Sequence, residues 1–268
     1  AALIALSGVT GILGLIVSES NPGEETISLL CVFYGAASLV FLDRVIIGNA
    51  RHYKSGVSEA LLYHSVGFID RGFAGLFVFD IQVFLWATLI VTAFSAWRYI
   101  DLISTMVFLG VGAYIIFYEF YELGGIFRNI IPFVFILSFT PLYFLIRKAR
   151  QNKSLDLWQN SLLIAEAFSL VMIYAAGNYL VVRELSVNLM NLQLGPGEEI
   201  PFGYLFYALT VIVPIIYLYT GITRKDLVLL RTSLGVLAFC VFTFKYYFSL
   251  GHHEITLTLS GAFLMLVS

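Results

Sequence analysis

Long apolar runs, broken only by short polar connections, dictate what this chain can become. A helix needs about 20 mostly apolar residues to cross roughly 30 Å of hydrocarbon, and runs of that kind recur from one end of the sequence to the other. Of the 268 residues, 60% are hydrophobic and only 12% are charged, about half the charge of a typical soluble domain. Too little polar surface remains to cover a water-soluble globule, so lipid is the expected solvent. In lipid every backbone N–H and C=O must be satisfied within the protein. The expected class is all-α, a polytopic transmembrane helix bundle with short loops, forming a single integral membrane domain over residues 1–268.

Candidate spans lie near residues 1–17, 27–47, 102–121, 130–146, 161–182, 202–221, 227–250 and 255–268. The stretch 59–97 is too long for one helix and is interrupted by Asp70-Arg71 and by Asp80. If only its second part crosses, the spans number nine and the basic residues divide almost evenly between the two sides. If 59–79 and 81–97 both cross, the spans number about ten, and eleven of the 15 Lys and Arg gather on one side. Lys and Arg accumulate on the cytoplasmic side, which favours ten spans with both visible termini cytoplasmic. The connections holding Glu24-Glu25 and Glu198-Glu199 then face outward. Leu185, Leu189 and Leu192, at helical spacing, predict a short interfacial helix in the second of them.

The chain opens and stops inside apolar runs, so the sequence predicts a domain clipped at both ends. A weak internal echo pairs Pro22-Gly23-Glu24-Glu25 with Pro196-Gly197-Glu198-Glu199, and the run from Leu61 to Gly67 with that from Leu229 to Gly235. It fits a repeat of the first four spans onto the last four.

Net charge is −2, which gives no reason to expect a nucleic-acid partner. Cys31 and Cys240 sit singly in apolar runs and suit neither a metal site nor a disulfide framework. No cofactor is expected. The expected partners are the lipid bilayer and, in one reading, other membrane subunits.

Asp70 and Arg71 are the leading candidates for chemistry. They fall near the middle of the 59–79 span, where each charge costs about 2.5–3.5 kcal/mol on insertion scales. Neighbours on a helix point about 100° apart, so each needs a partner on another helix. Gly67, Gly72 and Gly75 surround the pair, and a helix broken there would offer backbone groups to a cavity. Glu166 lies in the cytoplasmic half of the 161–182 span, with Arg71 as one possible partner and Tyr174 and Asn178 on the same helical face. Glu119 and Glu122 share a face at an outer span end, and Lys245 is placed to snorkel to that side; the three form an outer rim. The bland readings are structural ion pairs for the buried charges and a solvated rim for the others. His64 is the one histidine well inside a span, and His253-Glu254 lacks the second histidine of a zinc-protease motif, with Leu257 in its place. Pro132, Pro141 and Pro214 fall within spans and are expected to kink them.

The residues Lys245-Tyr246-Tyr247-Phe248-Ser249-Leu250 and Thr256-Leu257-Thr258-Leu259-Ser260-Gly261-Ala262-Phe263-Leu264 resemble the C-terminal spans of bacterial polytopic inner-membrane proteins of unknown function. The resemblance implies a bacterial cytoplasmic (inner) membrane and no particular activity. For function, the sequence favours a small-solute or ion transporter with a charged site at the midplane. A structural or assembly subunit of a larger membrane complex is the alternative, and a membrane enzyme the third reading. Asp70→Asn is expected to abolish transport without harming insertion.

Overall fold

A computed structural model describes residues 23–51, 53–77, 80–189 and 199–248. The expected first and last spans, the His252-His253 pair and the part of the C-terminal resemblance beyond Phe248 lie outside the described residues. Among those described there are nine α-helices and no strands. They are α1 (Glu24–Phe41), α2 (Val57–Leu76), α3 (Ile81–Tyr99), α4 (Leu102–Leu123), α5 (Ile126–Arg150), α6 (Gln159–Gly177), α7 (Tyr179–Asn188), α8 (Gly203–Thr223) and α9 (Leu227–Phe248). A π-helical segment, Leu42–Asn49, prolongs α1, and a 3-10 turn, Lys153–Trp158, precedes α6.

Seven segments are long and apolar enough to cross a membrane: Glu24–Asn49, Ile81–Tyr99, Leu102–Leu123, Ile126–Arg150, Lys153–Gly177, Gly203–Thr223 and Leu227–Tyr247. Their outer faces are apolar; Phe33 and Leu137, for example, are 72% and 76% exposed. Exposed apolar surface on this scale suits lipid and not water. The chain is an all-α, multi-pass integral membrane protein. The helix α2 is not among the seven, because Glu59, His64, Asp70 and Arg71 dilute its apolar content. The described residues gather into two compact units, divided between Ile115 and Ile116.

In the first unit α1 and α2 form an antiparallel hairpin of unusually close approach. A Cβ placed on Gly35 would lie 2.7 Å from the Ser65 carbonyl oxygen, and one on Gly72 would lie 2.7 Å from that of Ser28. Only glycine lets backbones meet so closely. The helix α2 is continuous through Asp70-Arg71-Gly72, so the expected break there is absent. Gly72 and Gly75 serve packing: a Cβ on Gly75 would collide with Ser28 Oγ. Asp80 caps α3 by accepting from Val83 N at 3.1 Å, and Asp101 opens α4 by accepting from Ser104 N at 2.7 Å. Leu42, Leu61, Leu62 and Tyr99 form the core at this end of the unit. There the Tyr53 hydroxyl donates to Tyr99 O at 2.8 Å and the Tyr63 hydroxyl to Asp101 Oδ1 at 2.8 Å. Burial, with the Asp101 carboxylate nearby, raises the Tyr53 hydroxyl above the usual tyrosine value, so it stays a donor.

In the second unit α5, α6, α8 and α9 surround a core of Tyr143, Leu170, Tyr174, Tyr217, Val228, Leu229, Val236 and Cys240. Pro132 and Pro141 lie inside α5, and Pro214 inside α8. The expected continuous span 161–182 is interrupted: α6 ends at Gly177, Asn178 is extended (φ −83°, ψ 125°), and α7 begins at Tyr179. At 1.5 Å per residue, the 19 residues of α6 measure about 28 Å, close to one hydrocarbon thickness. The helix α7 covers Leu185 of the expected interfacial helix, with Leu189 as its C-cap; Leu192 lies outside the described residues.

Candidate functional site

Seven charged groups of the second unit converge where α5 ends and α9 begins. Four features of the sequence put them there. Arg147 and Arg150 occupy the last turn of α5, where cations favour the helix C-terminus. The tight turn from α8 to α9 carries Arg224 and Lys225, the latter at φ 53°. Asp226 caps α9, its Oδ1 accepting from Val228 N at 3.0 Å and Leu229 N at 3.3 Å. Glu166 lies seven residues into α6, about 10 Å along it, and is fully buried.

Two ion pairs knit these elements. Arg147 Nη2 reaches Asp226 Oδ2 at 2.9 Å, while Arg147 Nη1 donates to the Tyr143 hydroxyl. Arg150 Nη1 donates to Glu166 Oε2. Two atoms of the second pair are left over: Glu166 Oε1 and Arg150 Nε are both buried and have no hydrogen-bond partner among the described residues. Burying a polar atom in this state costs about 1–3 kcal/mol. Arg150 and Glu166 help line a crevice of about 500 Å³, together with Arg147, Arg224, Lys225, Asp226 and Arg231. A second cavity of about 500 Å³, mainly apolar, runs beside Tyr174 and Val181 and shares Arg231 with the first.

The expected grouping of site residues is only partly realised. Tyr174 and Asn178 do meet: Asn178 Nδ2 donates to the Tyr174 hydroxyl at 2.9 Å and to Thr243 Oγ1 at 3.1 Å. The Asn178 Oδ1 accepts from Val181 N at 3.2 Å, and Tyr179 N donates to Thr210 Oγ1 at 2.9 Å. The break between α6 and α7 is thus sealed by side chains from α8 and α9. Glu166 takes no part in this network; its partner is Arg150 and not Arg71.

Asp70 and Arg71 lie in the first unit. Because α2 ends at Leu76, Asp70 sits about 9 Å from its C-terminal end and not at its middle. Asp70 Oδ1 and the hydroxyl of Thr88 on α3 are both buried, with the hydroxyl beside the Asp70 carboxylate. Arg71 is exposed, and its Nη1 lies beside Gly75, one turn nearer the helix end, as a snorkelling side chain does. His64 lies 3.3 Å from the Tyr34 hydroxyl. In the second unit Glu122 and Lys245 are exposed, and Glu119 is half-buried. Nearby, Arg128 Nε donates to Tyr121 O at 3.0 Å with its guanidinium 4.2 Å from that ring.

Sequence reasoning used Arg147, Arg150, Arg224, Lys225 and Arg231 for topology and did not see them as a site. The available signal was their gathering at the end of one apolar run, 130–146, and at the start of another, 227–250, with a lone glutamate, Glu166, in a run between them. Compared with protein-family models, curated proteins and solved structures, the chain matches none of them.

Proposed function

We propose that the protein is a small-solute carrier of a bacterial inner membrane, and that the crevice over Glu166 holds the solute from the cytoplasmic side. The observation that carries this reading is an open cavity reaching a fully buried carboxylate with one oxygen unengaged. An inert scaffold gains nothing from such a group, whereas a binding site needs it. The helix break at Asn178 and the second cavity at Arg231 add support, since interrupted helices beside cavities recur in transporters. The ten-span topology belongs to the same proposal. The helix α2 lies along α1 from Ser28 to Gly35 in antiparallel sense, so it accompanies α1 through the bilayer. With it and the stretches 1–17 and 255–268, the seven apolar segments reach the expected count. The crevice is assigned to the cytoplasmic side because its cations are among those that cluster on one side in this topology.

The alternative is a structural or assembly subunit, and the closed hydrogen bonding around Asn178 is what favours it. Proteoliposomes containing the purified chain should take up at least one of glycerol 3-phosphate, glutamate, glucose and choline faster than empty vesicles. Glu166→Gln should cut that uptake at least about tenfold while the protein still elutes as a single folded species. If wild-type vesicles carry none of the four, and Glu166→Gln instead disrupts a co-purifying membrane assembly, the subunit reading replaces this one.

A further inference from the structure

The charges in the crevice do not balance, and the imbalance says what it holds. Five cations, Arg147, Arg150, Arg224, Lys225 and Arg231, face two carboxylates, Glu166 and Asp226. Asp226 is fully engaged: one oxygen caps α9 and the other meets Arg147. Glu166 gives only Oε2, to Arg150. Arg224, Lys225 and Arg231 make no ion pair with any described residue. Like charges gathered beside an apolar helix bundle repel more strongly than in water, and an oxyanion is the chemistry that relieves them. Guanidinium groups suit phosphate and carboxylate in particular, since their donors match two oxygens at once. Arg150 has already turned one donor to Glu166 and keeps its Nε–H buried and unanswered.

The second leftover atom refines this. Glu166 Oε1 accepts only, and an anion alone would be repelled by it. It calls for a donor, and it sits on the carboxylate that Arg150 grips, so donor and oxyanion must be close together in one molecule. We propose that the crevice binds a small oxyanion bearing a hydroxyl or amine within a few bonds of it, the chemistry of glycerol phosphate. The anion meets Arg150 Nε, Arg224 and Arg231, and the hydroxyl donates to Glu166 Oε1. This deepens the carrier reading and rests on it for the ligand's route, though not for its binding. The same chemistry has two sources, a free solute and the headgroup of phosphatidylglycerol.

Titration calorimetry on the full chain in neutral detergent, at pH 8 and low salt, separates the parts of the claim. Glycerol 3-phosphate should bind at least about tenfold more tightly than methyl phosphate, which has the anion without the donor, and glycerol should not bind. Arg231→Ala and Arg224→Ala should weaken both phosphates alike. Glu166→Gln should erase the preference while keeping methyl phosphate binding, which also shows that the variant is folded. Lys148→Ala, outside the crevice, should change nothing. Equal wild-type affinities for the two phosphates, or no binding of either, overturns the inference. Competition by phosphatidylglycerol nanodiscs assigns the headgroup as source, and its absence assigns the free solute. Uptake of glucose or choline without phosphate binding sinks this inference and leaves the carrier reading. Phosphate binding without uptake of any solute does the reverse.

Discussion

A carboxylate inside an apolar helix is costly whatever its role, and Glu166 and Asp70 are left in different states. Glu166 has one oxygen met by Arg150, whereas Asp70 has only a neutral group, the Thr88 hydroxyl, identified beside it. Asp70→Asn removes the charge and supplies an N–H that can meet Thr88 Oγ1. The melting temperature of the detergent-purified variant should therefore hold or rise, by the equivalent of up to about 1 kcal/mol. Uptake should fall, since a charge kept at such cost is kept for use. A clear loss of stability would instead mean that the carboxylate is structural. Asp70, Glu166, Tyr174 and Asn178 were all legible as candidates from one rule, polar groups within apolar runs. Their partners were not. A helix that is apolar all round gives no sign of which face meets protein and which meets lipid, so Arg150 could not be preferred over Arg71.

Among the elements, the ends of the helices were readable because apolar runs end where polar residues begin. The interior events were not. Gly67, Gly72 and Gly75 suggested a break, yet α2 runs straight through them and two of the three sit against α1. The actual break falls at Gly177-Asn178, in a run with no more sign of it than several unbroken ones. Glycine marks both a close approach and an interruption, and only the neighbouring helix decides which. The close approach is open to test. Gly72→Val would set its Cβ within 2.7 Å of Ser28 O and 2.9 Å of Val32 N, both backbone atoms that cannot yield. Thermal unfolding should show a loss of about 1–3 kcal/mol. Gly67→Val, where nothing lies within 4 Å, should cost far less. Equal behaviour of the two variants would refute the packing described for the α1–α2 hairpin.

For the whole molecule, the membrane class followed from composition alone, whereas the proposed ten-span topology rests on the unequal sharing of Lys and Arg. Its test is direct. With Cys31 and Cys240 replaced by Ser, single cysteines at Lys54 and Lys148 should react with an impermeant maleimide from the same, cytoplasmic, side. Labelling from opposite sides would mean that α2 does not cross, and the orientation of the crevice would fall with it. The joint between α6 and α7 has a mechanical meaning of its own. A continuous helix bends only by sacrificing rungs of its backbone ladder, but here that ladder already stops at Asn178. Two kinds of contact fasten the short distal arm: hydrogen bonds among the buried Asn178, Thr210 and Thr243, and the packing of Tyr179 and Val182 against Phe206 and Tyr207. The direction of the arm is therefore set by α8 and α9 and not by the axis of α6, and a shift of those two helices would carry the arm with them without breaking a backbone rung of α6.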